Sequence, residues 1–301
     1  MVSESVESFT LRCTGGNWMA AYSAMAGPCE IHIYGVEASE AHRLASLALA
    51  ETRRIERKFS RYRDDNIIHA INSSSGAPVA IDDETYRLLH YAGQCYELSD
   101  SLFDITSGIL RQAWTFNAQE AQPDQDLIDS LLALVGWSKV RLTESNVTLL
   151  PGMEIDLGGL GKEYAVDRVA ELLREETDTP LMVNFGGDLR AVTGRASNAP
   201  PWIIGLENPR IHDTPIGRIE LGHGAVATSG DSRRYCIVNG QRLGHILNPT
   251  TGWPVDRAPR SVTVLADRCI EAGLLATLGI LRGHSAEEFL DAQAVKYHCI
   301  R

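Results

Sequence analysis

Three apolar stretches of this chain each stop at a turn of small residues: Asp156-Leu-Gly-Gly-Leu-Gly-Lys162, Asn184-Phe-Gly186-Gly187-Asp188 and Ala227-Thr-Ser-Gly230-Asp231. A turn without Cβ atoms lets backbone N–H groups approach a ligand closely, and the first one lies between an expected strand end and a helix start, where an anion is favoured. Any one of these turns can also be plain strand punctuation. Their recurrence, with Lys162, Thr228 and Ser229 alongside, points to one anionic ligand met by all three. The first is not a Walker A loop, because Asp156 stands where the leading Gly belongs and Glu163 where Ser or Thr belongs, and it does not fit G-x-G-x-x-G.

With 301 residues, 44% hydrophobic and 22% charged, the chain can bury a substantial core as one large domain or two closely packed halves. No apolar run approaches the roughly 20 residues that span a bilayer, so no membrane partner is expected. The formal charge of −11 argues against nucleic acid. Arg53, Arg54, Arg57, Lys58, Arg61 and Arg63 are interleaved with Glu51, Glu56 and Asp64, as on a solvated helix face. Met1 to Glu7 is acidic and polar, unlike a secretory signal or a lipoprotein leader, so a cytoplasmic protein is expected. Six scattered cysteines without a C-x-x-C pair suggest idle or buried thiols rather than zinc or disulfides.

Periodicity predicts a strand at Glu30 to Tyr34, then an amphipathic helix over 37–59 with Leu44, Ala48, Ile55 and Phe59 on its core stripe. A second helix follows Asp82 or Asp83 as N-cap and ends near Ser99-Asp100, and a third covers Tyr164 to Glu175. Strands are expected at Leu181 to Phe185, Trp202 to Leu206 and around Arg233 to Val238, which turns at Asn239-Gly240 into a return strand carrying His245. A helix from Ile270 to Leu281 closes the pattern. Asn117 to Asp126 reads as a surface connection between sub-domains. The expected class is α+β, with mixed sheets flanked by helices.

Two further segments carry candidate chemistry. Gly244-His245-Ile-Leu-Asn248-Pro249 sets an imidazole beside a tight turn, where it is either structural or a base for a hydroxyl nucleophile. Asp104, in Phe103-Asp104-Ile-Thr106, either binds a ligand through its carboxylate or caps a helix starting there.

Taken in order, these segments resemble the ApbE family of FAD:protein FMN transferases over roughly Met25 to Gly283. Met25-Ala-Gly is similar to the family's Met-Gly-Thr turn, and Phe59-Ser60-Arg-Tyr62 with Ile71-Asn72 to its F-S-x-Y and I-N pattern. Leu102-Phe103-Asp104-Ile-Thr106 with Trp114 resembles F-D-x-T; Asp156 to Asp167 resembles D-L-G-G-x-x-K; Asn184 to Asp188 and Ala227 to Gly230 resemble G-G-D and T-S-G. His245-Ile-Leu-Asn248-Pro249-x-Thr251-Gly252 resembles H-I-x-D/N-P-x-T-G.

The resemblance implies a fold of two closely packed sub-domains with an FAD cleft between them: residues 1–20 as an extension, 21–301 as the flavin transferase domain, divided near 117–150. It implies FAD held by Met25, Tyr62, Leu102, Phe103, Asp104, Asp156, Lys162 and Leu247, with the turns at Gly186, Gly187, Thr228 and Ser229. It implies Mg²⁺ on the diphosphate, met by the Gly159 carbonyl and Thr277, and His245 assisting deprotonation of a Thr or Ser on an acceptor flavoprotein. The implied reaction joins FMN to that hydroxyl as a phosphoester and releases AMP; the rival readings are FAD hydrolysis to FMN and AMP, or FAD binding and delivery without catalysis.

One position departs from the family. Its last helix carries A-D-x-x-x-T, whose Asp helps hold the metal, whereas this chain reads Ala272-Gly273-Leu-Leu-Ala-Thr277. Positions one turn away on that helix are not acidic, so the same helix does not resupply the carboxylate. Weak Mg²⁺ binding is therefore expected, and Gly273→Asp is expected to raise it. Glu163 replaces the family's common Gly after the lysine, and either crowds the phosphates or supplies a displaced carboxylate.

Overall fold

A computed structural model describes residues 8–120, 122–192, 201–211 and 214–301. Met1 to Glu7, on which the cytoplasmic expectation rests, lie outside the described residues.

The chain opens with a meander of β1 (Thr10–Thr14), β2 (Asn17–Ala24) and β3 (Gly27–Tyr34). Met25 and Ala26, at φ 54° and 60°, form the two-residue turn between β2 and β3. Two consecutive positive φ values match the right-handed twist of a hairpin, but cost more in residues with a Cβ than in glycine. Because β1 and β2 belong to the main sheet, a boundary at residue 20 would cut through β2. Of the expected 1–20 extension, Thr10 to Thr14 form an edge strand and Asn17 to Ala20 the first half of its neighbour.

Next come α1 (Ala38–Phe59), α2 (Ile67–Asn72), β4 (Val79–Ala80) and α3 (Asp83–Leu98), the last capped by Asp82, which accepts the Thr85 N–H at 3.0 Å. A 3-10 stretch, Ile105–Ala113, precedes α4 (Gln125–Leu132), β5 (Arg141–Leu142), β6 (Asn146–Thr148) and α5 (Gly161–Glu176). Then follow β7 (Leu181–Phe185), β8 (Asp188–Val192), β9 (Trp202–Glu207), β10 (Pro215–Leu221), β11 (Gly224–Gly230), β12 (Tyr235–Val238), β13 (Gln241–Gly244) and β14 (Ser261–Ala266). The chain ends with α6 (Cys269–Leu281), α7 (Ala286–Ala292) and β15 (Lys296–Ile300), so α6 does not close the fold as expected.

Eight strands form one sheet in the order β1-β2-β3-β7-β8-β11-β14-β15, with small sheets β4-β6-β5, β9-β10 and β12-β13. All ladders between these strands are antiparallel, which corrects the expectation of mixed sheets. The α+β class stands.

Helices α1, α5 and α6 pack on the large sheet and on one another. The α1 stripe expected from periodicity is the buried one: Leu44, Ala48 and Ile55 are fully enclosed. Each buried Leu or Ile contributes roughly 1.5–3 kcal/mol relative to exposure, enough to fix that face inward. On the outer side Arg54 pairs with Glu51 and Glu84, and Lys58 with Asp82 and Glu84. Burial pushes the Glu84 carboxyl up, but Arg54, Lys58 and the Tyr164 hydroxyl outweigh it and hold it down at about 2.

A smaller apolar cluster of Trp114, Ile128 and Cys236, next to Ile109, Leu110 and Leu131, forms the opposite wall of a cleft. Cys29, Cys95, Cys236 and Cys269 are buried free thiols, as expected; Cys13 is exposed and Cys299 partly so.

Candidate functional site

The cleft encloses about 1080 Å³ between the large sheet with α5 and α6 on one side and the 3-10 stretch with the loop after β13 on the other. That is the upper end of the ~300–1,000 Å³ usual for small-molecule sites. The turns at Gly158 and Gly186 and the end of β11 at Gly230 all reach it, although 72 positions separate the first from the last (230 − 158), and His245 faces the same space. The turn expected at Ala227 to Gly230 is corrected to strand, because these residues pair with Ser261 to Val264 of β14. Met25, Tyr62, Leu102, Phe103, Asp104, Asp156, Gly159, Lys162, Thr228, Ser229, Leu247 and Thr277 also line it. Gly187 does not: its N–H is tied to Asn184 Oδ1 at 2.9 Å, bracing the turn that presents Gly186.

The floor is the start of α5. No side chain caps this helix; the Gly161 N–H donates to the Leu157 carbonyl at 2.6 Å, and Gly161, Lys162 and Glu163 line the cleft, so the partial positive charge of the helix start faces it. Asp156 stays beside it, accepting the Gly158 N–H at 2.9 Å and facing Arg61 at 3.2 Å. A Cβ at Gly108 would collide with the Asp156 side chain, which explains a glycine inside the 3-10 stretch. Lys162 is paired with buried Asp188, whose other oxygen accepts the Thr228 N–H at 2.9 Å. Asp188 therefore links α5, β8 and β11 around one ammonium.

Across the floor, the Ser229 hydroxyl meets the Thr277 hydroxyl at 2.8 Å. Gly230 passes so close to the β14 backbone that a Cβ would strike the Arg260 carbonyl, so the glycine is required by strand packing. Met25 donates its N–H to Glu56 Oε1 at 2.7 Å, which anchors the β2–β3 turn over the cleft. Tyr62, at the rim, is 76% exposed; its ring carries only the Arg61 guanidinium, 4.6 Å from the centroid.

Asp104 takes the capping alternative. Its Oδ1 accepts the Thr106 N–H at 2.8 Å and the Thr106 hydroxyl at 2.6 Å, and Oδ2 accepts the Trp137 N–H at 3.1 Å. Burial still pushes its carboxyl up against those bonds. Both oxygens are engaged, so Asp104 shapes the wall.

His245 sits one residue beyond β13, not on the strand, which corrects that expectation. The loop is set by Asn248, which accepts the Thr250 N–H at 2.8 Å through its side chain and the Gly252 N–H at 2.8 Å through its carbonyl. Burial, then the nearby Arg234 cation, pushes the imidazole down to about 4, although a backbone hydrogen bond to Arg234 opposes this. The ring is neutral near pH 7, and its Nδ1 is buried without a partner. In the tautomer protonated on Nε2, Nδ1 is a free proton acceptor.

Glu163, the residue that replaces the common Gly after the lysine, lies at the same floor. It is 8% exposed, yet its Oε2 is buried with no hydrogen-bond partner. Its Oε1 lies 3.5 Å from Lys162 Nζ, an ammonium already committed to Asp188. A Cβ at Gly273 would meet Glu163 Cγ at 2.6 Å and Cδ at 3.2 Å. A side chain at position 273 therefore requires Glu163 to move, because Glu163 occupies that space.

Arg61 was hidden in the sequence by its basic neighbours. Arg54 and Lys58 do pair outside the cleft, but Arg61 lies past the end of α1 and turns in to Asp156. Its place between Ser60 and Tyr62, inside a recognised segment, was the available signal.

The ApbE family model matches residues 25–300. An FAD:protein FMN transferase of Vibrio cholerae is 32% identical over 242 residues, 77% of this chain and 72% of the relative. Another, of Klebsiella pneumoniae, is 30% identical over 282 residues, 90% and 86% of the two chains. The crystal structure of an ApbE protein from Thermotoga maritima superposes with a TM-score of 0.84 at 31% identity, covering 94% of each chain. The flavin transferase ApbE from Vibrio cholerae gives 0.80 at 26%, covering 97% and 94%.

Proposed function

The chain belongs to the ApbE family, and from that premise we propose that it is an FAD:protein FMN transferase. The observation that carries this reading is the convergence of two small-residue turns, the end of β11, an uncapped helix start and Lys162 on one cleft, with a neutral histidine beside them.

FAD lies along the cleft with its diphosphate over the start of α5. Lys162, shared with Asp188, and the backbone at the first turn of α5 meet the phosphate oxygens, while the glycines at 158 and 186, whose own N–H groups are bonded within the protein, leave room for them. Tyr62 offers the flavin an open aromatic face, worth on the order of 1 kcal/mol when stacked. The Thr or Ser hydroxyl of an acceptor flavoprotein enters beside His245, which takes the hydroxyl proton. The oxygen attacks the FMN-side phosphorus, the bond to the bridging oxygen breaks, and AMP leaves with that oxygen. The products are the FMN phosphoester and AMP, with the proton returned from His245 to solvent or to AMP.

The residues present fit a hard divalent cation: a buried carboxylate oxygen without a partner, the Thr277 hydroxyl and the Gly159 segment share the floor. Bound Mg²⁺ would neutralise diphosphate charge and stabilise the charge developing on AMP. Among the described residues no helix is long and apolar enough to cross a membrane. The cytoplasmic setting remains part of the proposal.

Incubating the protein with FAD, Mg²⁺ and a flavoprotein acceptor domain should yield the acceptor carrying covalent FMN, read by intact mass, and one AMP per adduct. AMP without adduct would make the protein an FAD hydrolase. Bound FAD with neither product would make it a binding protein.

A further inference from the structure

Helices α5 and α6 meet through two contacts in opposite chain order. Asp167 of α5 accepts the Cys269 and Ile270 N–H groups at 2.9 and 3.0 Å, and one turn back along α5 Glu163 faces Gly273, one turn forward along α6. The helices are therefore antiparallel and in a fixed register. A further turn brings Gly159 toward the level of Thr277, and both line the cleft.

Within that register the side chain of Glu163 reaches across the helix interface into the space at position 273. Its Cδ is 3.2 Å from where a Cβ at 273 would stand. The carboxyl carbon of an aspartate lies about 1.5 Å, one carbon–carbon bond, from its own Cβ. Thus the carboxyl of Glu163 approaches α6 one turn from Thr277, at the level where an acidic side chain on α6 would have to place its own.

Charge makes the second half of the case. Glu163 and Asp188 are two carboxylates, 8% and 3% exposed, sharing one ammonium, Lys162. An anionic ligand arriving at the start of α5 meets that surplus negative charge. A divalent cation between them removes the conflict and gives Glu163 Oε2 the partner it lacks. Had Glu163 served only to pair with Lys162, neither its unpartnered oxygen nor the absence of a Cβ at 273 would be explained.

We propose that Glu163, from the first turn of α5, is the carboxylate ligand of the divalent cation in this protein, and that Gly273 is the space that admits it. The site thus has its acidic ligand moved from one helix to its partner. This rests on the reading of the cleft as a metal-assisted diphosphate site, but not on the identity of the acceptor.

The test is Mn²⁺ binding to the purified protein, followed by electron paramagnetic resonance with and without FAD, so that turnover plays no part. Wild type should take up one Mn²⁺ in the cleft, and Glu163→Gln, nearly the same shape without the charge, should weaken it by roughly tenfold or more. Gly273→Asp alone should not tighten binding, because the new side chain collides with Glu163. The double variant Glu163→Gly with Gly273→Asp should regain Mn²⁺ affinity by restoring the carboxylate from α6. Wild-type affinity in Glu163→Gln, no uptake by the wild type, or a folded double variant that stays metal-free would each overturn the assignment. Mn²⁺ binding that follows this pattern in a protein giving no FMN transfer would sink the transferase reading and leave the ligand assignment standing.

Discussion

His245 combines burial, a neighbouring arginine and an unpartnered Nδ1, and this sets its titration. A proton acceptor works in its neutral form, which is present above its pKa and lost as pH falls through it. With the imidazole held at about 4 instead of the ordinary 6.5, kcat/KM, which reports the free enzyme, should keep its value well below pH 6. The acid limb of kcat should lie higher, because a bound diphosphate offsets Arg234 and favours the imidazolium. An acid limb of kcat/KM at 6.5 or above would contradict the lowered titration of His245. At this scale the sequence was partly legible. The candidates at Asp156, Lys162, Thr228 and His245 stood in recognisable segments, and they share one cleft. The pairing of Glu163 with Gly273 was not legible, since two substitutions 110 positions apart (273 − 163) reveal their contact only once the α5–α6 register is known.

Among the elements, α5 and α6 depend on one side chain. Asp167 has a 6% exposed side chain, is salt-bridged to Arg190 at 3.0 Å and caps the start of α6 through two N–H groups. Asp167→Ala would leave those donors and a nearly buried guanidinium unanswered. Removing one partner of a buried pair costs about 3–5 kcal/mol. Glu171, 3.4 Å from Arg190, keeps the expected loss near the lower end. Urea unfolding should show it as a lower midpoint at unchanged slope; a loss under about 1 kcal/mol would mean that Asp167 does not set the register. Helices α1, α3 and α5 were legible because each keeps one apolar stripe of period 3.6, and α6 because its apolar run is longer than a strand, although it is apolar nearly all round. The strand β14 was not, because Ser261, Val262, Thr263 and Val264 are all buried and the usual alternation is lost. Short α4 was obscured by the polar, Pro123-containing stretch before it.

The whole molecule places chemistry by topology. The hairpin of β2 and β3 joins β7 and then β8 and β11, which gathers the Met25 and Gly186 turns and the Thr228 end of β11 at one sheet end. Sequence could name those turns but not the strand order, because the β3–β7 ladder joins segments about 150 residues apart and nothing local encodes such pairing (185 − 29 = 156 for Cys29 and Phe185). The cleft's position follows from that order, with α5 delivering its uncapped start to the same end. A crystal structure of the protein with FAD tests this most directly. The diphosphate should lie over the start of α5, between the turns at Gly158 and Gly186 and the end of β11 at Gly230, with the FMN-side phosphate beside His245. FAD bound outside that cleft, or inside it with the diphosphate turned away from all three segments, would contradict it.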